Sequence, residues 1–421
     1  MKFVHAADVH LDSPLHGLER YAGAPVEEFR GATRRALENL IRLCVDEEAD
    51  ALLLAGDLYD GDWRDFGTGL FFSAQMARLR EAGVRVFVVR GNHDAQSRIT
   101  KSLRLPENVH MFRSRRPETV VVDKLGLAVH GQSFSQADVT ENLAGGYPAP
   151  RSGLLNVGLL HTSADGRPGH ANYAPCRLQD LVAKGYDYWA LGHVHAREVV
   201  HQDPWVVFPG NLQGRHARET GAKGCTLVTV DDGRITVVEP KWLDVVRWTV
   251  VDLDASNCAT PNDVLDRLSA ALRSAVDDAG GRVCAARVRV GGRTAAHASL
   301  LNRKDSWVND ARALATDVGA GEVWIEKVTL ATVPEIDWRE RAAQSGPVGE
   351  LLRDIESLGG DGARLRQLIE RFADLNAKLP AELREREGED GFRIDETRLR
   401  ESLAGMASVI LPRLLDAEDG E

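Results

Sequence analysis

The sequence predicts an α/β fold, and three observations predict it. Across residues 1 to about 240, short runs rich in Val, Leu and Phe alternate with segments of helical apolar period. Several runs, Ala51-Leu52-Leu53-Leu54-Ala55 above all, are apolar throughout, as strands buried on both faces are. Five of the runs also end in polar blocks, and in α/β sheets ligands gather at the carboxyl ends of strands.

Residues 2–7 read as the first strand. A helix is expected over 26–48, where Phe29, Thr33, Ala36, Leu40 and Leu43 share one face. A strand at 51–55, a helix at 66–82 and a strand at 84–89 continue the alternation. Further strands are expected at 119–122, 127–131, 154–160, 188–191, 205–208, 225–230 and 235–238. A second unit opens with a strand at 248–251 and a helix at 262–278. Strands at 283–290 and 323–330 then flank a helix near 306–317, an order that suits a small α+β module. From 335 the chain is helical and charged. Leu351, Leu352, Ile355 and Leu358, then Leu365, Leu368, Ile369 and Phe372, recur at helical spacing around the break Gly359-Gly360-Asp361-Gly362, and a last helix is expected over 395–415. The expected domains are 1–244, 245–334 and 335–421.

A chain of 421 residues is too long for one core of ordinary size. No apolar run approaches the roughly 20 residues that span a bilayer. The first seven residues lead straight into Asp8, with no room for a cleavable signal. Five widely spaced cysteines without a CxxC fit reduced thiols, so a cytoplasmic protein with no membrane attachment is expected. The net charge of -11 argues against a freely diffusing, nonspecific DNA binder. Residues 381–421 hold 12 acidic and 6 basic side chains, so more than half of that charge lies in the tail. The stretch 101–116, with Lys101, Arg104, Arg113, Arg115 and Arg116 against Glu107, reads either as a phosphate-gripping stripe or as a solvated face.

The chemistry lies in the polar blocks: Asp8-Val9-His10, Gly56-Asp57-Leu58-Tyr59-Asp60, Gly91-Asn92-His93-Asp94, His161 and Gly192-His193-Val194-His195. A two-metal hydrolytic site needs five or six hard or borderline donors with a bridging carboxylate. Asp8, His10, Asp57, Asn92, His161, His193 and His195 offer seven. In Asp-x-His and His-x-His an extended strand would turn the two side chains apart, so a bend must aim both inward. Gly56, Gly91 and Gly192 are expected to permit these turns and to let a phosphate approach the backbone. His5, His16, His110, His130, His170, His201 and His297 lack such context and are expected to be structural or superficial.

This ordered set resembles the calcineurin-like metallophosphoesterases. Gly192-His193-Val194-His195 and His161-Thr162-Ser163 look like DNA double-strand-break repair nucleases of the SbcD-like family, YhaO-type branch. Asn172-Tyr173-Ala174-Pro175-Cys176, 186–191 and 208–216 match that type. The resemblance implies a β-sandwich flanked by helices (α/β/β/α), a capping domain and a helical region. It implies one ion on Asp8, His10, Asp57 and His195, and a second sharing Asp57 and adding Asn92, His161 and His193. Mn2+ is the family's usual ion, while Zn, Fe or Co fit the nitrogen-rich set on affinity grounds. His93 is implied as the group that neutralises the scissile phosphate and assists the leaving oxygen. Asp60 is expected to orient His93 and is alternatively an N-cap for the segment after Gly61. Arg215 and His216 are expected near the substrate.

The function so implied is a DNA exonuclease or endonuclease, hydrolysing phosphodiesters with a two-metal-activated water. Its expected partner is a coiled-coil, SMC-like ABC ATPase docked on the helical tail, although the tail's apolar stripes equally suit an intramolecular bundle. A homodimer is also implied. The competing readings are a small-molecule phosphoesterase, acting on cyclic nucleotides or phosphomonoesters, and a non-catalytic scaffold.

Overall fold

The structure is a computed structural model that describes residues 1–13, 31–60, 66–96, 104–166, 172–319, 322–335, 342–378, 395–400, 402–403 and 406. Two six-stranded sheets dominate it. The first carries, in order, β12 (Arg234–Trp242), β11 (Gly224–Asp231), β1 (Lys2–Ala6), β2 (Ala51–Ala55), β3 (Arg85–Val89) and β4 (Val109–Met111). β1 to β4 run parallel, and β11 returns antiparallel to β1 before the β11–β12 hairpin. The second sheet orders β5 (Glu118–Val122), β6 (Leu127–Gly131), β7 (Leu155–His161), β8 (Tyr188–Gly192), β10 (Trp205–Phe208) and β9 (Glu198–Gln202). Here β6, β7, β8 and β10 are parallel and the edge strands antiparallel.

Alternation within each strand builds the layers. Phe3, Leu53, Phe87 and Val89 from the first sheet meet Val129, Leu155, Val157, Tyr188 and Ala190 from the second in one core. The opposite residues, Val4, Leu52, Leu54, Val86 and Val88, face α1 (Ala32–Asp46) and α2 (Phe66–Glu81) through Leu37, Leu40, Ile41, Phe72 and Met76. On the outer face of the second sheet, Leu160, Trp189, Leu191 and Phe208 pack with Tyr147, Leu181 and Tyr186. The continuous apolar run of β2 follows: all five residues are buried because both faces are covered. Two facing sheets with helices packed against them make the helix-flanked sandwich that the sequence implied.

Two compact units divide the chain: Met1–Val250 with Ala275–Arg287 and Glu322–Glu326, and Val251–Ser274 with Val288–Gly321 and Lys327–Glu421. A third sheet orders β13 (Val246–Asp254), β14 (Val283–Thr294) and β15 (Val323–Pro334), and the division runs through all three strands. In the second unit, Asp361 caps the helix Gly362–Arg371, its side chain accepting from the Ala363 and Arg364 amides. Of the tail's apolar stripes, Leu352 and Leu365 are buried, whereas Leu351 and Phe372 are exposed.

Some elements differ from expectation. β4 and β9 have no counterpart in the sequence reading, because Val109-His110-Met111 is three residues long and Glu198-Val199-Val200-His201-Gln202 shows neither an apolar run nor an alternation at a half-covered edge. The first helix is described from Ala32, and residues 26–30 of the expected span lie outside the described residues. Most of the expected helix 395–415 lies outside them too. No helix among the described residues is long and apolar enough to cross a membrane. All five cysteines are buried free thiols.

His5, in the middle of β1, is fully buried between Tyr188 and the backbone of Leu191. The Leu191 carbonyl only accepts, so His5 donates from Nε2 at 3.1 Å and receives the Tyr188 hydroxyl at Nδ1, also 3.1 Å away. Burial pulls this imidazole from 6.5 down to about 3. Its folded value lies below the unfolded one, so the unfolded state takes the proton first. Stability is then complete above pH 6.5 and is lost as pH falls toward 3. Between pH 7 and pH 5 the loss is about 2 kcal/mol. Urea unfolding at both pH values should show a loss about 2 kcal/mol smaller in His5→Gln than in the parent; equal losses in both would contradict it.

Candidate metal centre

Each polar block sits where a parallel strand ends, and the ends of β1, β2, β3, β7 and β8 lie together. Past β1 and β2 the ladder continues without strand geometry: Asp8 N donates to Gly56 O, His10 N to Asp57 O and Leu11 N to Leu58 O, each at 2.9 to 3.0 Å. The bend that Asp-x-His requires is made by left-handed backbone, with φ of 51° at Asp8, 44° at His10 and 51° at Asp57. His193 has a φ of 102°. Such conformations cost about 1–3 kcal/mol each and persist where the surroundings over-determine them.

Gly56, with a φ of 92°, makes the turn expected of it, whereas Gly91 and Gly192 serve a different purpose. At Gly91 and Gly192 the backbone is not left-handed. A Cβ on Gly91 would stand 2.3 Å from Asp57 Oδ1, and one on Gly192 would stand 1.9 Å from the Ala55 carbonyl oxygen. Both positions are cleared for neighbouring site residues, and Gly192 lets the two sheets close on each other at this end.

Two groups of donors result. Asp8, His10 and His195 each bring one ligand atom within 4.8 Å of the others, and so do Asp57, His161 and His193. Asn92 joins the second group, its Oδ1 lying 3.1 Å from His161 Nε2. Asp57 reaches both: its Oδ2 is 3.5 Å from His161 Nε2 and 3.9 Å from His10 Nε2. The structure thus brings all seven expected donors together. A third group, His10, Asp60 and His93, shares His10 with the first.

The protonation pattern explains why a cation fits. Nδ1 of His161 donates to Ala55 O at 2.8 Å, which leaves Nε2 as a lone pair facing Asn92 Oδ1 and the Asp57 carboxylate. His10 Nδ1 donates to Asp60 at 2.6 Å and His195 Nδ1 to Glu219 at 2.6 Å, so their Nε2 lone pairs face each other at 3.3 Å. Acceptors converging on acceptors repel unless positive charge lies among them. Burial, with the Asp57 charge second, pushes the Asp8 carboxyl well up, and burial raises Asp57 to about 6. Burial likewise brings His161 down to about 3 and His10 well down. Neutral imidazoles and carboxylates strained by burial are a donor set suited to divalent cations.

Around the donors stands a second set of residues. Asp94, fully buried, accepts from the Leu58 and Tyr59 amides at 2.9 and 3.0 Å and from Gly91 N at 3.1 Å. It therefore ties the second block to the third, a larger task than bracing its own turn. His93 opens the short helix Asn92–Gln96, its amide donating to Asp57 Oδ1 at 3.0 Å while its side chain is 42% exposed. Asp60 stands within ion-pair reach of His93, 3.7 Å from its Nδ1, but makes its short hydrogen bond with His10. It is described as unstructured chain ahead of Gly61, and residues 61–65 lie outside the described residues, so the N-cap alternative falls there.

Arg215 stands within 3.5 Å of Asp60, Ser13, His195 and Glu219, whereas His216 is half exposed. Glu219 was not singled out from the sequence. It accepts from His195 Nδ1, Asn211 Nδ2 and Arg215 N, and its one sequence-level signal is its place four residues after Arg215. Burial works to raise both Asp60 and Glu219, but His hydrogen bonds and the Arg215 charge hold each below the usual carboxylate range. Of the basic stretch, Lys101 lies outside the described residues, and exposed Arg113 faces Glu118 at 3.6 Å.

Residues 1–197 match the family model described as calcineurin-like phosphoesterase, and residues 248–333 match metallophosphoesterase YhaO, middle domain. Among curated proteins, the uncharacterised metallophosphoesterase YhaO of Bacillus subtilis (strain 168) is 38% identical over 260 residues, covering 61% of this chain and 64% of that protein. The DNA double-strand break repair protein Mre11 of Methanopyrus kandleri is 27% identical over 276 residues, covering 58% of this chain and 57% of its own. The protein of that name from Sulfurisphaera tokodaii is 24% identical over 274 residues, covering 61% and 66%. Each match spans less than two thirds of the relative's own length.

Proposed function

We propose that this chain, which carries a calcineurin-like phosphoesterase domain of the YhaO type, is a two-metal phosphodiesterase that acts on DNA. The observation that carries the phosphoesterase reading is the convergence of seven buried or nearly buried donors on two adjoining positions, with exposed His93 at their edge. Asp8, His10 and His195 would hold one ion, Asn92, His161 and His193 the other, and Asp57 would serve both. Two divalent ions held there supply positive charge for a phosphate and make bound water acidic enough to act as nucleophile near neutral pH.

The chain's own groups complete the chemistry. His93 reaches solvent beside the donors, where its imidazole can neutralise a phosphate oxygen and give a proton to the leaving oxygen. His216, half exposed, stands where a substrate strand can meet it. The choice of DNA is supported by the two relatives named for double-strand break repair. Mn2+ as the ion, a coiled-coil SMC-like ABC ATPase as partner, a homodimer and the three-domain division belong to the same proposal, on the sequence resemblance. The net charge of -11 favours the competing reading, a small-molecule phosphoesterase, because that substrate needs no long basic track.

One assay separates the readings. Purified full-length chain with Mn2+ should release nucleotides from labelled DNA and leave a cyclic nucleotide largely intact. Turnover of the cyclic nucleotide with intact DNA would move the assignment to the small-molecule reading, and turnover of neither would favour the scaffold.

A further inference from the structure

The side chains beyond the ion-facing donors form one connected strap. Asp60 holds the remote nitrogen of His10 at 2.6 Å, and Glu219 holds the remote nitrogen of His195 at 2.6 Å. Arg215 lies between the two carboxylates, with NH1 3.4 Å from Asp60 Oδ1 and NH2 3.3 Å from Glu219 Oε1. The Glu219 end of the strap is anchored further. Glu219 Oε2 accepts from Asn211 Nδ2 at 2.9 Å and from Arg215 N at 2.7 Å, and Lys223 Nζ donates to the His195 carbonyl at 2.9 Å. The two histidine Nε2 atoms that this arrangement aims inward lie 3.3 Å apart.

We infer that Arg215 is a positioning residue for one ion of the pair: by bridging Asp60 and Glu219 it fixes the separation and tautomers of His10 and His195. This rests on the reading of those histidines as metal ligands, and it goes beyond it by giving Arg215 a task other than gripping substrate. The guanidinium suits that task because its planar fork offers two donors to two carboxylates at once, which a lysine ammonium on a flexible stem does not. In the second group, His161 is oriented by the Ala55 carbonyl and faces Asn92 rather than the strap. Loss of the strap therefore affects one ion and spares the other.

Calorimetric titration of the metal-free full-length chain with Mn2+ tests this. The parent binds two ions. Arg215→Met is expected to weaken one ion by roughly 10- to 100-fold, as loss of a residue supporting a metal ligand does, and to leave the other within about twofold. Arg215→Lys should fall between. Glu219→Gln should weaken the same ion, and the double variant should lose little more than either single, because both act through one unit. Excess Mn2+ should restore most of the Arg215→Met turnover, which a lost substrate contact would not allow. Unchanged affinities for both ions with a raised KM would make Arg215 a substrate contact and overturn the inference. Equal weakening of both ions would overturn it as well, assigning Arg215 to general stability. A parent that bound no Mn2+ would instead bring down the metal reading itself.

Discussion

Asp57→Ala is expected to remove both ions and to lower phosphoester turnover by at least about 10³-fold, the scale lost when a preorganised charge-stabilising group is deleted. Asp57 reaches both halves: its Oδ2 is 3.5 Å from His161 Nε2 and 3.9 Å from His10 Nε2, while Oδ1 holds the His93 amide. Losing the carboxylate therefore removes a shared ligand and loosens the start of the helix that presents Asn92 and His93. Asp57→Asn separates the two effects. Its amide oxygen still accepts from His93 N, and it removes a charge whose burial is unfavourable without a cation. The metal-free Asn variant should melt no lower than the metal-free parent, yet retain at most one ion. Elemental analysis of the purified variants, with thermal unfolding in chelator, checks both statements. Two ions on either variant would show that Asp57 does not bridge.

His93→Gln is expected to act on turnover alone. Its imidazole is absent from the two donor groups that hold Asp8 and Asp57, and its ring stands 5.0 Å from that of His10 in an edge contact. Removing a general acid costs typically 10²- to 10⁴-fold, so kcat should fall by that range with KM changed little. Metal content should stay at two ions, because the His93 backbone amide, which Gln keeps, makes the hydrogen bond to Asp57. Near-parent turnover with full metal would take His93 out of the mechanism. Loss of one ion would instead make it a ligand through the group it forms with His10 and Asp60.

How much of this was legible depended on the range of the interaction. β2 and α1 could be read because burial on both faces makes an apolar run and burial on one face makes a helical stripe. β4 escaped because three residues carry no period, and β9 because a half-covered edge strand selects weakly for apolar residues. The seven donors were legible for another reason. Metal ligation demands rare residue types, and a parallel sheet places them at strand ends, so Asp8-x-His10 and His193-x-His195 stand out against their apolar neighbours. Asp94 was visible in the third block, but its acceptance of Leu58 and Tyr59 amides was not, since those donors lie about 35 residues away. The shorter bond from His10 to Asp60, beside the expected Asp60–His93 contact, escaped for a like reason. Several imidazoles converge near Asp60, and the left-handed φ at His10 turns His10's remote nitrogen onto it.

By itself, then, the sequence determined the layers and the donor chemistry, because side-chain polarity and residue type act locally and leave a pattern in one dimension. The tertiary structure decided which nitrogen of each histidine faces inward, why Gly91 and Gly192 must lack a Cβ, that Glu219 belongs to the site and that Arg215 stands between it and Asp60. These depend on approaches of 2 to 4 Å between atoms of different loops. Such approaches are set by how two sheets close on each other, and spacing along the chain carries no record of them.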